Sequence, residues 1–234
     1  MEKVSSPFQA CSDIFIKPNR VFATVAEARN WSWLPFLIVV TMAILPSYLY
    51  FNFVDFEWYT QLIIDSSYSN VSPAEQDVIR NSMSQEQMSI FATFGVFLGY
   101  LIVNAVMATY LNIVTKSDEE CVQGFTDWYG FTWWISMPTV LSSLISLAII
   151  LLANDNHLSP VSIAPTTFAF IFDVDMSSPW FSLMQSIRID SFWVMYLTSV
   201  GVSRWTNLST NYSYIIAVAP YAVIWTAWAF ITVF

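Results

Sequence analysis

The chain has 234 residues, 56% of them hydrophobic and 11% charged, with a formal net charge of −9. Soluble domains carry about 25% charged residues, and eleven Trp, eleven Tyr and nineteen Phe are too many for a water-soluble core of this size. These figures exclude an ordinary soluble domain, and the negative charge argues against nucleic acid as a partner. They point to an all-α, polytopic membrane bundle.

Residues 1–32 read as a cytoplasmic N-terminal region of two short helices. Ser6 followed by Pro7 is a capping residue with proline at the first helical position. Phe8, Cys11 and Phe15 fall on one face of that helix. Pro18 breaks it, Asn19 is placed to cap the next, and Phe22, Val25 and Ala26 share a face opposite Glu27. The pair either lies in the membrane interface or packs under the bundle. Pro7, Pro18 and the lack of a continuous apolar core argue against a cleavable signal.

Residues 33–234 read as a five-span domain. The expected spans are Trp33–Val54, Met88–Val114, Trp128–Ala153, Phe181–Ser203 and Tyr212–Phe234, each long enough for about 30 Å of hydrocarbon. Six basic residues (Lys3, Lys17, Arg20, Arg29, Lys116, Arg204) then fall on one side, against Arg80 and Arg188 on the other. That bias predicts a cytoplasmic N-terminus and an outer C-terminus. The segment 55–87 holds two capping boxes, Ser72 to Glu75 and Ser84 to Gln87, the second starting the helix that becomes span two. In the segment 154–180, Pro160, Pro165 and Pro179 punctuate the chain, and Phe168–Phe172 is too short to cross.

Within the spans, polar residues stand out. Asp190 lies 14 positions before Arg204, about 21 Å along a straight helix, which puts it inside the hydrocarbon. Arg188 sits about 200° away on such a helix, so the two do not face each other. They form either an ion- or headgroup-binding site at the outer mouth, or a clamp, or simple snorkelling. Thr132, Ser136, Thr139, Ser143 and Ser146 recur on one face of span three, beside the kink-prone Pro138. Such a face lines a groove or packs against a helix. Span two carries Gly95 and Gly99 in a GxxxG packing pattern and Asn104 at mid-membrane. Gly201 is a packing candidate in span four.

Chemistry is otherwise sparse. Cys11 and Cys121 have no metal-ligand spacing, and His157 is the single histidine. Asp173 and Asp175 read as a solvated loop, as does Lys116–Glu120. With no nucleophile–base pair and no metal-ligand set, the chain does not read as an enzyme and calls for no cofactor.

Several of these segments resemble bacterial members of the Yip family, the Ypt/Rab-interacting proteins. IFIKPNRVF and then NWSWLPFLIV carry Phe15, Pro18, Phe22, Trp33 and Pro35, similar to the family's first span and its approach. WWISMPTVL carries Trp134 and Pro138, and RIDSFWVMYLTSVGVS carries Asp190, Phe192, Trp193 and Gly201. The resemblance implies a five-span helical fold and, for bacterial members, the inner membrane. In eukaryotes it implies vesicle traffic and Rab contact, a role not expected here without the long N-terminal region of those members. Two functions follow as expectations. One is the handling of lipid or a small solute in a polar groove formed by Asp190, Arg188, Asn104 and the hydroxyl face. The other is membrane organisation through a homo-oligomer or a membrane-protein partner.

Overall fold

Proline and a capping serine start the first helix as the sequence requires. In the computed structural model, which describes residues 4–28 and 30–233, α1 runs Pro7–Asp13 with Ser6 Oγ accepting the Gln9 N–H at 3.2 Å. Lys3, Arg29 and Phe234, used above for topology or span length, lie outside the described residues. Helix α2, Pro18–Val25, also starts on proline, but its N-cap is Lys17 and not Asn19. Asn19 Oδ1 instead accepts the Arg204 Nε–H at 2.7 Å, which ties this helix to the end of the helix Ile189–Trp205. Phe22 and Val25 are buried while Ala26, just past the helix end, is exposed. The expected shared face of α1 also splits: Phe15 and Cys11 pack on the core, but Phe8 is 73% exposed.

Helix α3, Trp33–Phe53, is followed by α4, Phe56–Ser67, capped by Asp55. Helix α4 lies in the segment 55–87, where the capping boxes alone predict helix starts at 72 and 84; Asp55 is an ordinary capping residue that marks a third. Helix α5, Pro73–Ser82, begins with both bonds of the expected Ser72–Glu75 capping box. Helix α6, Gln85–Val114, starts at Ser84 as expected, but without the second box: Ser84 makes no side-chain cap bond. Gln85 Nε2 donates to Phe51 O at 2.6 Å instead, which fixes the start of α6 beside the end of α3.

The third expected span is two helices, α7 Phe125–Ile135 and α8 Thr139–Leu152, bent by 40°. Pro138 has no N–H to continue the ladder, so the chain makes a tighter turn through Ser136–Pro138. The Thr139 N–H reaches Ser136 O at 3.0 Å, three residues back. A 3-10 turn at Pro160–Ile163 and the short α9, Phe168–Ile171, follow.

The fourth expected span, Phe181–Ser203, is corrected. Helix α10 occupies only Phe181–Ser186, and α11 runs Ile189–Trp205, with Arg188 extended between them at φ −127° and ψ 143°. Arg188 pairs antiparallel with Thr167: the Phe168 N–H donates to Ile187 O and the Ile189 N–H to Thr166 O, both at 2.9 Å. That pairing holds the chain extended and stops one helix from running through. Helix α12, Thr210–Val233, completes the chain.

Among the described residues, α3, α6 and α12 are long and apolar enough to cross a membrane, and the α7–α8 pair makes a fourth if it is one span. Helix α11, at 17 residues, is about 25 Å long. Ten of its residues are buried, among them Val194, Leu197, Thr198, Gly201 and Val202. The largest buried side chains gather near its C-terminal end. Trp205 lies 5.2 Å from Trp128 and 5.0 Å from Phe131, and Phe131 lies 5.0 Å from Phe22. Gly201 makes this contact possible: a Cβ there would stand 2.1 Å from Phe131 Cε2. The Trp205 Nε1–H is satisfied by Phe22 O at 3.0 Å.

Candidate functional site

The two ionic residues singled out by sequence do meet, against the straight-helix expectation. Because Arg188 lies outside α11 in extended backbone, its side chain folds back over the first turn. Arg188 Nε donates to Asp190 Oδ1 at 3.2 Å and Oδ2 at 3.1 Å. Asp190 is 6% exposed and sits in the first turn of α11, where the helix dipole favours a carboxylate.

Two residues the sequence reading passed over complete the arrangement. Thr166 Oγ1 donates a short hydrogen bond to Asp190 Oδ1. Arg188 Nη2 donates to Ser142 Oγ at 3.1 Å, and Ser142 Oγ lies 2.9 Å from Thr166 Oγ1. With Thr166 giving its proton to the carboxylate, Ser142 gives its own to Thr166. The four side chains form a closed ring that joins α8, the loop before α9 and the start of α11. Arg188 bonds Asp190 through Nε and Ser142 through Nη2, and its charge is balanced by that of Asp190 within the ring.

The other polar candidates are elsewhere. Asn104 is buried on α6, with its Nδ2 donating to Tyr100 O at 2.8 Å. Ser136 Oγ lies 2.8 Å from Thr132 O and 3.3 Å from Asn104 Oδ1, so one hydroxyl proton serves two acceptors. Thr132 donates to Tyr129 O, Thr139 to Ser136 O, and Ser143 to Thr139 O. Ser146 reaches Ser142 O and, at 2.8 Å, Ile163 O. These hydroxyls therefore bond back to carbonyls three or four residues earlier in the chain, and Ser146 also ties α8 to the loop before α9; none reaches Trp134 O, the acceptor that Pro138 deprives of its ladder bond. Asn104 and Asp190 share no partner, and none of the candidate polar residues lines either of the two main cavities.

Around α4 a second small polar cluster forms. Asp55 Oδ1 accepts the Trp58 N–H at 3.0 Å, and its Oδ2 lies 3.7 Å from His157 Nε2. Those contacts, the backbone bond foremost, hold the Asp55 carboxyl below its ordinary range. The His157 ring stacks on Trp58 at 5.2 Å. In α1, burial pushes the Cys11 thiol up to about 11. Among the described residues no group of three or more His, Cys, Asp or Glu is placed to hold a metal ion.

The Yip1 domain matches residues 12–231 of the chain. The chain belongs to the Yip1 domain family. With three long apolar helices besides, it is a membrane protein. No curated protein and no solved structure matches it significantly. The positions that carry the Yip resemblance are structural contacts here. Phe15 packs edge-on against Trp193 at 5.5 Å, and Phe22 abuts the Gly201 site. Trp134 is fully buried with its Nε1 donating to Ser32 Oγ at 3.2 Å, and Phe192 meets Trp225 at 5.7 Å. In this member of the Yip1 family those residues hold the first helices, α7 and α11 together.

Proposed function

We propose that this Yip1-domain protein is non-enzymatic and acts by assembling in the membrane, with a second copy of itself or with membrane-protein partners. One contrast supports the reading. The polar side chains expected to line a groove are occupied by one another and by backbone carbonyls, while a face of α6 stays open. Nothing lies within 4 Å of where a Cβ would stand at Gly95 or Gly99. Phe91, Leu98, Ile102 and Val106, on the same side of α6, are exposed. Small residues let membrane helices approach closely, so this face favours assembly over passage of a solute through the bundle.

The same proposal takes α3, α6, α7–α8, α11 and α12 as five spans in the bacterial inner membrane. It puts the N-terminus inside and the C-terminus outside, supported by the six-to-two distribution of basic residues. Replacing Gly95 and Gly99 together by Leu tests the reading. Crosslinked complexes in native membranes should fall several-fold while the melting temperature of the isolated chain holds. Unchanged crosslinking would refute assembly through α6.

A further inference from the structure

A cavity of about 740 Å³ opens between the starts of α3 and α7 and the middle of α6. It belongs to none of the polar clusters above. Its wall changes character with depth. Gln123 and Asp127 stand at the start of α7, and Trp33, 65% exposed, stands at the start of α3. Phe36, Tyr129 and Trp133 come next, about one to two turns into their helices. Leu101 closes the inner side, 13 residues before the end of α6 at Val114, about 20 Å along that helix. The cavity is thus polar at the level of the helix ends, where headgroups lie, and apolar within the span.

Charge at the mouth is one-sided among the described residues. Asp127 is the single charged side chain in the wall among the described residues. Its Oδ2 accepts the Gly124 N–H at 2.9 Å. Its Oδ1 has no hydrogen-bond partner among the described residues. The rings behind it pack edge to face: Trp33 with Phe36 at 5.5 Å, Phe36 with Trp133 at 4.8 Å, and Tyr129 with Trp133 at 5.7 Å. Successive ring planes therefore turn by nearly a right angle, so that π faces point in different directions around the cavity. An exposed carboxylate at the mouth of a cavity whose wall also holds these aromatic rings favours an organic cation and disfavours an anion. The volume falls within the range of small-ligand sites.

We propose that this cavity binds one membrane lipid with an amine headgroup, the ammonium against Asp127 and the aromatic rings and the first part of a chain along Phe36 and Leu101. The assignment stands apart from assembly through α6, because the cavity lies within one chain and Gly95 and Gly99 are not in its wall.

Nanodiscs holding the full chain in equal phosphatidylethanolamine and phosphatidylglycerol provide the test. Lipid retained after gentle release is identified by native mass spectrometry. One phosphatidylethanolamine should be kept over phosphatidylglycerol by roughly five-fold, the order expected of a partly desolvated cation–π site. Asp127→Asn, which keeps an acceptor for the Gly124 N–H, should bring the two lipids to parity. Thr126→Lys, an exposed change at the same mouth, should do so too. Dodecyltrimethylammonium should displace the lipid where tetramethylammonium chloride at equal concentration does not. Parity in the parent protein, or a preference that survives both variants at unchanged melting temperature, overturns the site. Equal displacement by the chainless cation would make the ligand a free amine and overturn the lipid assignment.

Discussion

The two ends of α11 are held by opposite means. At its C-terminal end the grip is shape: Gly201 admits the Phe131 ring, and Phe22, Trp128 and Trp205 close around it. At its N-terminal end the grip is charge and hydrogen bonding, through Arg188, Asp190, Thr166 and Ser142. The difference teaches what each end must solve. A helix buried among rings needs only fit, since dispersion and burial are non-directional. A helix start leaves unpaired N–H groups and meets a loop, and directional bonds there fix where the helix begins.

The shape end should break hardest. Gly201→Val brings methyl groups into space already held by the Phe131 ring, and overpacking of this kind costs about 1–3 kcal/mol or more. Expression in folded form should drop sharply, read by size exclusion in detergent. A compensating Phe131→Ala in the same chain should recover part of the loss, and a Gly201→Val protein that folds normally would show that the ring contact does not decide the packing.

At the charged end the order of two substitutions carries the information. Asp190→Leu leaves Arg188 half-buried without its partner, and breaking a largely buried ion pair from one side costs on the order of 3 kcal/mol. Asp190→Asn keeps an acceptor for Thr166 and loses only the charge, so its melting temperature in detergent should lie between that of Leu and that of the parent. Equal melting for all three proteins would mean that the ring contributes nothing to holding α11.

Smallest is a change that touches neither end. Ser72 donates its hydroxyl and backbone N–H to Glu75, which holds that carboxyl below its ordinary range. A depressed folded value contributes stability above the ordinary carboxylate range, and that contribution is lost as pH falls through the folded value. Protection of the α5 amides, taken relative to their intrinsic exchange rates, should therefore fall below about pH 4, with α11 unaffected. A loss of protection in α11 over the same range would join the two regions that the contacts keep separate.

Much of this was legible in the sequence because it depends on local pattern. The extents of α3, α6 and α12 follow from apolar length, the Ser72–Glu75 box from spacing, and the Pro138 break from a missing N–H. The start of α11 was not legible, because nothing within residues 181–203 interrupts a helix strongly. Only pairing with Thr167, some twenty residues upstream, holds Arg188 extended. Straight-helix geometry consequently set Arg188 and Asp190 on different faces, although the two bond. Ser142 and Thr166 escaped notice for the same reason: their role exists only once the loop folds back onto α8. The hydroxyls of span three follow from periodicity, but periodicity cannot tell a groove lining from hydroxyls that bond back to carbonyls of their own chain. Nor can it find the aromatic cavity, whose walls come from α2, α3, α6, α7 and α11 and the loop before α3.

Helix α11 has a consequence for biogenesis. It is 17 residues long, with Arg188 before it, Asp190 in its first turn and Arg204 in its last. Taken alone it is a poor candidate for partition from a translocation channel into acyl chains. The next helix begins after only four residues, 206–209, and has 24 residues of high apolarity. The pair therefore should leave the channel as a hairpin, with α12 drawing α11 in, and a nascent chain truncated after Asn207 should leave α11 outside the bilayer in a glycosylation-mapping assay.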